Sequence, residues 1–225
     1  MIEVKGVSLR YPDGTLALKE LDLTIKEGEL VYITGPSGSG KTSLLKLLMG
    51  MEYPTLGSVK VLGQPIVNGE FGGIRNIRKR IGPVFQELKL VPGRNALENV
   101  MMGIRFLDFS RREMKENSVV ALEKVGLGHK ALSPVENLSW GEAQRVAIAR
   151  AIARKPGLIL ADEPTGNLDH DNAVNILNIL SSFQQQNTSV VITTHATHLI
   201  ENQRNITIVH MNNGVISVEK RGDGN

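Results

Sequence analysis

The chain contains no cysteine, which rules out disulfides and thiolate metal centres and is compatible with a reducing, cytosolic setting. It also lacks any apolar run near the roughly 18–20 residues that a bilayer-spanning helix needs. Its start, Met1-Ile2-Glu3-Val4-Lys5, alternates like a strand and has no signal-peptide apolar stretch. The expectation is a chain soluble as encoded, with any membrane role borrowed from a partner. Internal repeats and low-complexity tracts are missing as well. Excess charge of one sign is scarce: 26 Lys+Arg face 23 Asp+Glu, so composition gives little support for a nucleic-acid partner.

What is present suits one α/β domain with a real core: 225 residues, with strand-like and helical stretches alternating. Ile2, Val4 and Val7 alternate with polar residues, and Leu21, Leu23 and Ile25 share a face, which predicts an antiparallel element near the start. Leu30-Val31-Tyr32-Ile33, residues 158–161 and residues 190–193 are short continuous apolar runs, as expected of strands covered on both faces. Strands are also predicted over 59–62 and 81–85, and helices over 42–49, 110–125 and 174–183, the second opening with Ser110 and Glu113 at capping-box spacing. Residues 206–211 and 215–218 around Asn212-Asn213-Gly214 predict a hairpin. The organisation read from this is a single domain over 1–225. Residues 1–86 and 138–225 form its α/β core with an antiparallel β subdomain, and 87–137 is an inserted helical subdomain.

Gly35-Pro36-Ser37-Gly38-Ser39-Gly40-Lys41-Thr42 fits the G-x-x-x-x-G-K-[ST] pattern between a strand and a helix. Glycines allow the backbone to wrap a phosphate so that several N–H groups converge on it, and the helix start adds partial positive charge. Lys41 reaches the β- and γ-phosphates, and the Thr42 hydroxyl is a ligand for Mg²⁺. The partner of such a loop is a carboxylate at the end of a buried strand, and Leu158-Ile159-Leu160-Ala161-Asp162-Glu163 supplies it. Asp162 is placed to hold Mg²⁺ through its water shell, and Glu163 to polarise an attacking water.

Leu138-Ser139-Trp140-Gly141-Glu142-Ala143-Gln144-Arg145, running into Val146-Ala147-Ile148-Ala149-Arg150-Ala151, resembles the signature of the ABC (ATP-binding cassette) family, LSGGQ followed by QRVAIARA. The resemblance extends over nearly the whole chain. It implies an α/β ATPase core of the phosphate-loop type and an ATPase that uses ATP and Mg²⁺. Tyr11 stands where the family has its adenine-stacking aromatic, Gln86 matches the Q-loop, Asn167-Leu168-Asp169 the D-loop, and His195 the switch histidine. The resemblance thus assigns catalysis to Glu163, His195, Lys41 and Gln86, and metal binding to Thr42, Gln86 and Asp162. It assigns nucleotide contact to Tyr11, to Gly35, Pro36, Ser37, Gly38, Ser39, Gly40, Lys41, Thr42 and Ser43, and to Ser139, Gly141 and Glu142 of a second copy. It further implies a head-to-tail dimer on ATP and an integral membrane permease docking near Gln86 to Pro92, which would place the chain in the cytoplasm, peripheral on the inner face of the cell membrane. No nucleic acid is expected.

Trp140 stands in place of a glycine and is read as a surface tryptophan packing on its own subunit. Glu142 replaces glutamine; with Ser139 it makes S-x-x-E, so it is expected to turn back onto its own backbone. Ala196 follows His195 where relatives usually carry an acid. Arg75, Arg78, Lys79 and Arg80 are read as a solvated helix face. Among family branches, Thr165-Gly166-Asn167-Leu168-Asp169 and Arg80-Ile81-Gly82-Pro83-Val84-Phe85-Gln86 resemble the lipoprotein-release, macrolide-export and cell-division ATPases. The alternatives are a non-transport ABC ATPase of repair or translation, and a cassette that binds ATP without hydrolysing it.

Overall fold

A computed structural model describes residues 1–184 and 188–222. Two sheets form. In the first, β1 (Ile2–Arg10) pairs antiparallel with β2 (Leu16–Ile25) and β4 (Leu56–Val61), and β5 (Gln64–Pro65) closes the edge, in the order β2-β1-β4-β5. The second sheet comprises β3 (Leu30–Thr34), β6 (Ile81–Val84), β7 (Leu158–Asp162), β8 (Ser189–Thr194), β9 (Ile206–Asn212) and β10 (Val215–Arg221). Its order is β10-β9-β3-β8-β7-β6, parallel throughout except for the β9–β10 hairpin.

The apolar runs become the inner strands of this sheet because both of its faces are covered. Alternate residues go to opposite layers: Leu30 and Tyr32 face one core cluster, Val31 and Ile33 the other. The first layer holds α3 (Ala96–Ile104), α4 (Arg111–Lys124), α5 (Trp140–Ile152) and α6 (His170–Ser182). The second holds α1 (Lys41–Leu48), α2 (Phe71–Arg80) and the antiparallel sheet. Each fully buried Leu, Ile or Val contributes about 1.5–3 kcal/mol, and these two layers hold most of them.

Helix starts follow local chemistry. Ser110 and Glu113 form the predicted reciprocal cap of α4, and Asn95 with Glu98 does the same for α3. Residues 87–137 carry α3, α4 and two single-turn 3₁₀ helices, while α5 beyond them packs on both α3 and α4. The basic cluster is only partly a solvated face: Arg78 donates to the carbonyls of Met49 and Gly50 at 3.2 and 2.7 Å, and Lys79 pairs with Asp108 at 2.7 Å. Among the described residues no helix is long and apolar enough to cross a membrane.

Candidate active site

Four neighbouring parallel strands, β3, β8, β7 and β6, end at the same edge of the sheet. Their carboxyl ends carry, in order, the glycine loop, His195, the Asp162-Glu163 pair and the segment leading to Gln86. Ligand sites in such sheets lie beyond the carboxyl ends of the strands. An open cleft of about 450 Å³ is found there, lined by Tyr11, Ser37, Gly38, Gly40, Lys41, Thr42, Ser43, Gln86 and Glu163 among others.

The glycines of the loop are required sterically. A Cβ at Gly35 would lie 2.0 Å from the Met211 carbonyl oxygen, and one at Gly40 would lie 2.7 Å from that of Ala17, with Gly40 at φ 110°. The loop curls around its own lysine: the Lys41 side chain is 3% exposed, and its Nζ donates to the carbonyls of Gly35 and Pro36 at 2.9 and 3.0 Å and lies 3.4 Å from Glu163 Oε1. The other carboxylate oxygen of Glu163 is 3.0 Å from His195 Nδ1. Glu163 therefore bridges the loop lysine and the histidine. Its backbone sits at φ 43°, a left-handed conformation that costs a non-glycine residue on the order of 1–3 kcal/mol and that gathers at functional sites.

Asp162 is buried beside it. Thr42 Oγ1 donates to Asp162 Oδ1 at 3.2 Å, and Thr193 Oγ1 donates to the same oxygen at 2.7 Å while accepting from the Glu163 N–H at 2.9 Å. Thr193 ties both acids to β8, a contact that sequence reading missed. Strand neighbours are set by sheet order, and Asp162 and Thr193 are register partners only because β7 and β8 pair. Tyr11 reaches the first turn of α1, its hydroxyl 3.0 Å from Ser43 Oγ.

The signature residues are elsewhere. Ser139 caps α5, accepting from Glu142 N–H at 3.3 Å, and Glu142 returns to the Ser139 N–H at 3.0 Å. Lys130 donates to Glu142 Oε1 at 2.5 Å, and this bond, with the cap, holds the Glu142 carboxyl below its ordinary range. Ser139, Gly141 and Glu142 do not line the cleft. Gly141 is buried against α6, where a Cβ would lie 3.2 Å from Asn172 Oδ1, whereas Ser139 is exposed and Trp140 is 47% exposed. Asp169 caps α6 through the Asn172 N–H at 2.9 Å, which lowers the Asp169 carboxyl. At the far end of α5, Arg150 donates to the carbonyls of Lys89 and Leu88 at 2.7 and 2.6 Å, gripping the segment that follows Gln86.

Residues 18–166 match the family model described as ABC transporter. The cell division ATP-binding protein FtsE of Streptococcus pneumoniae strain D39 is 36% identical over 223 residues, covering 99% of this chain and 97% of its own. The lipoprotein-releasing system ATP-binding protein LolD of Pseudoalteromonas translucida is 37% identical, covering 98% and 96%. The fold superposes on a dimeric post-hydrolysis structure of the ATP-binding cassette MJ0796 bound to ADP and Pi, with a TM-score of 0.87, 34% identity and 98% of each chain covered.

Proposed function

The chain belongs to the ABC transporter family of ATPases, and from that membership we propose that two copies bind ATP head to tail, each completing the other's hydrolytic centre and together driving a membrane permease. The chain is an ATP-binding, ATP-hydrolysing transporter subunit. The observation that carries the dimer reading is the separation within one copy: Lys41, Thr42 and Glu163 line one cleft, with Asp162 bonded to Thr42 and His195 to Glu163, while the capped start of α5 stands outside it.

In this reading Tyr11 stacks on the base, and the loop from Gly35 to Ser43 holds the phosphates. Ser139 and Gly141 of the other copy approach the γ-phosphate. Glu163 accepts a proton from water as the water oxygen bonds to the γ-phosphorus and the bond to the β-bridging oxygen breaks, releasing ADP. General-base help of this type is worth on the order of 10²–10⁴ in rate. His195, on the second oxygen of Glu163, orients that carboxylate. Thr42, Asp162 and Gln86 offer the hard oxygen donors that suit Mg²⁺, the first two already 3.2 Å apart; bound there, the ion would neutralise charge on the phosphate oxygens. Glu142 serves its own helix.

The permease segment docks near residues 86–92, where the Arg150 clamp joins that stretch to the signature helix. Such docking places the chain on the inner face of the membrane. The relatives' names favour a cell-division or lipoprotein-release role. Among the described residues there is neither a second cassette nor a long coiled-coil insertion, which disfavours the repair and translation alternatives.

Glu163→Gln tests the assignment: it is expected to retain ATP binding, lose turnover and sediment as an ATP-dependent dimer. Turnover equal to that of the unmodified chain would overturn it.

A further inference from the structure

The Asn213-Gly214 turn has a position that a hairpin has no need of. With Asn212 and Val215 as register partners and φ of 49° and 79°, it is a two-residue left-handed turn of the kind Asn-Gly favours. An ordinary turn of this kind projects into solvent. Here Gly214 is buried: its N–H donates to the Ser39 carbonyl at 2.9 Å, its carbonyl accepts from the Lys19 N–H at 2.8 Å, and a Cβ would lie 2.7 Å from the Ala17 oxygen. The turn is thus wedged between the phosphate loop and β2, and both Asn213 and Gly214 line the nucleotide cleft with Lys19.

On the reading above, phosphates would sit on the loop and the base at Tyr11, so the turn, touching both the loop and the start of β2, would flank the stretch between them. The Asn213 and Lys19 residues are exposed, and their side chains make no hydrogen bond or ion pair among the described residues. A carboxamide both donates and accepts, which matches vicinal ribose hydroxyls; an ammonium matches polyphosphate.

Resting on the ATPase reading above, we propose that Asn213 hydrogen-bonds the ribose of the bound nucleotide and that Lys19 is a cation facing its phosphates, a wall of the site contributed by the C-terminal hairpin and β2. Neither residue belongs to the motifs of the phosphate site.

The test compares ATP, 2′-deoxy-ATP and 3′-deoxy-ATP as substrates. Asn213→Gly keeps the left-handed turn, since glycine adopts φ 49° freely. The unmodified chain is expected to favour ATP over at least one deoxynucleotide by about threefold to tenfold in kcat/KM, the worth of one hydrogen bond. Asn213→Gly should bring that preference to within about twofold, with the loss in KM. Lys19→Gln should raise KM for ATP severalfold at low salt and less at high salt. No ribose preference, or one that survives Asn213→Gly, overturns the Asn213 role, and an unmoved KM in Lys19→Gln overturns the other. Asn213→Ala, which also removes the carboxamide, replaces the glycine variant if circular dichroism shows the latter unfolded. Failure of the ATPase reading itself looks different: the unmodified chain would turn over no nucleotide at all.

Discussion

At the residue scale, the side chains around the cleft act in pairs that their positions in the chain do not announce. Glu163 holds Lys41 on one oxygen and His195 on the other, across 122 and 32 positions respectively (163 − 41 and 195 − 163). The acid pair was legible as a pair from its place at the end of an apolar run, but its lysine contact was not. Glu142 shows the opposite case, since the S-x-x-E spacing already predicts the cap that forms. Its carboxyl is lowered first by Lys130 and then by the Ser139 N–H. A lowered carboxyl contributes stability that is present above its unfolded pKa, about 4.3, and disappears as pH falls through the lower folded value. Glu142→Gln keeps the cap but loses the charge. Its melting temperature is expected to lie below that of the unmodified chain at pH 7, with the gap closing in acid, and ATP turnover should stay within about twofold because the group serves its helix. A sharp rise in turnover would instead mean that the charge repels phosphate.

At the element scale, α5 connects the parts of the molecule. Its start carries the signature, its flank packs on α3 and α4, and its last turn holds Arg150, which grips the carbonyls of Leu88 and Lys89. The fit is close: a Cβ on Gly103 of α3 would lie 2.3 Å from Arg150 Cγ. A guanidinium spans two carbonyls with a rigid fork, and an ammonium has no such geometry. Arg150→Lys is therefore expected to lower kcat several-fold with nucleotide affinity nearly intact, read by single-turnover assays beside fluorescent-nucleotide titration. Equal losses in both would mean that Arg150 only stabilises the fold. Helices with local start signals, such as α4 with Ser110 and Glu113, were legible in advance. The grip of Arg150 was not, because it depends on where α5 lies against a loop about 60 residues away.

At the scale of the whole molecule, the C-terminal hairpin supports the phosphate loop. Gly35 leaves no room for a side chain against Met211, 176 positions away (211 − 35), and Gly214 hydrogen-bonds Ser39. Gly35→Ala should push the hairpin off the loop, costing at least about 2 kcal/mol in a denaturant titration and most of the nucleotide binding. A stable Gly35→Ala chain that binds ATP normally would mean the loop and hairpin move independently.

The sequence alone determined what short stretches encode: the doubly covered strands, the phosphate loop, the acid pair at a strand end, the capping boxes of α4 and α5 and the family itself. Each rests on neighbours a few positions apart, where periodicity, glycine conformations and side-chain-to-backbone hydrogen bonds operate. Only the tertiary structure decided which strand ends meet. The sheet order β9-β3-β8-β7-β6 sets Thr193 under Asp162, His195 beside Glu163 and the terminal hairpin against the glycine loop. Those contacts arise from burying both faces of one sheet, a condition the chain satisfies as a whole and no local segment records.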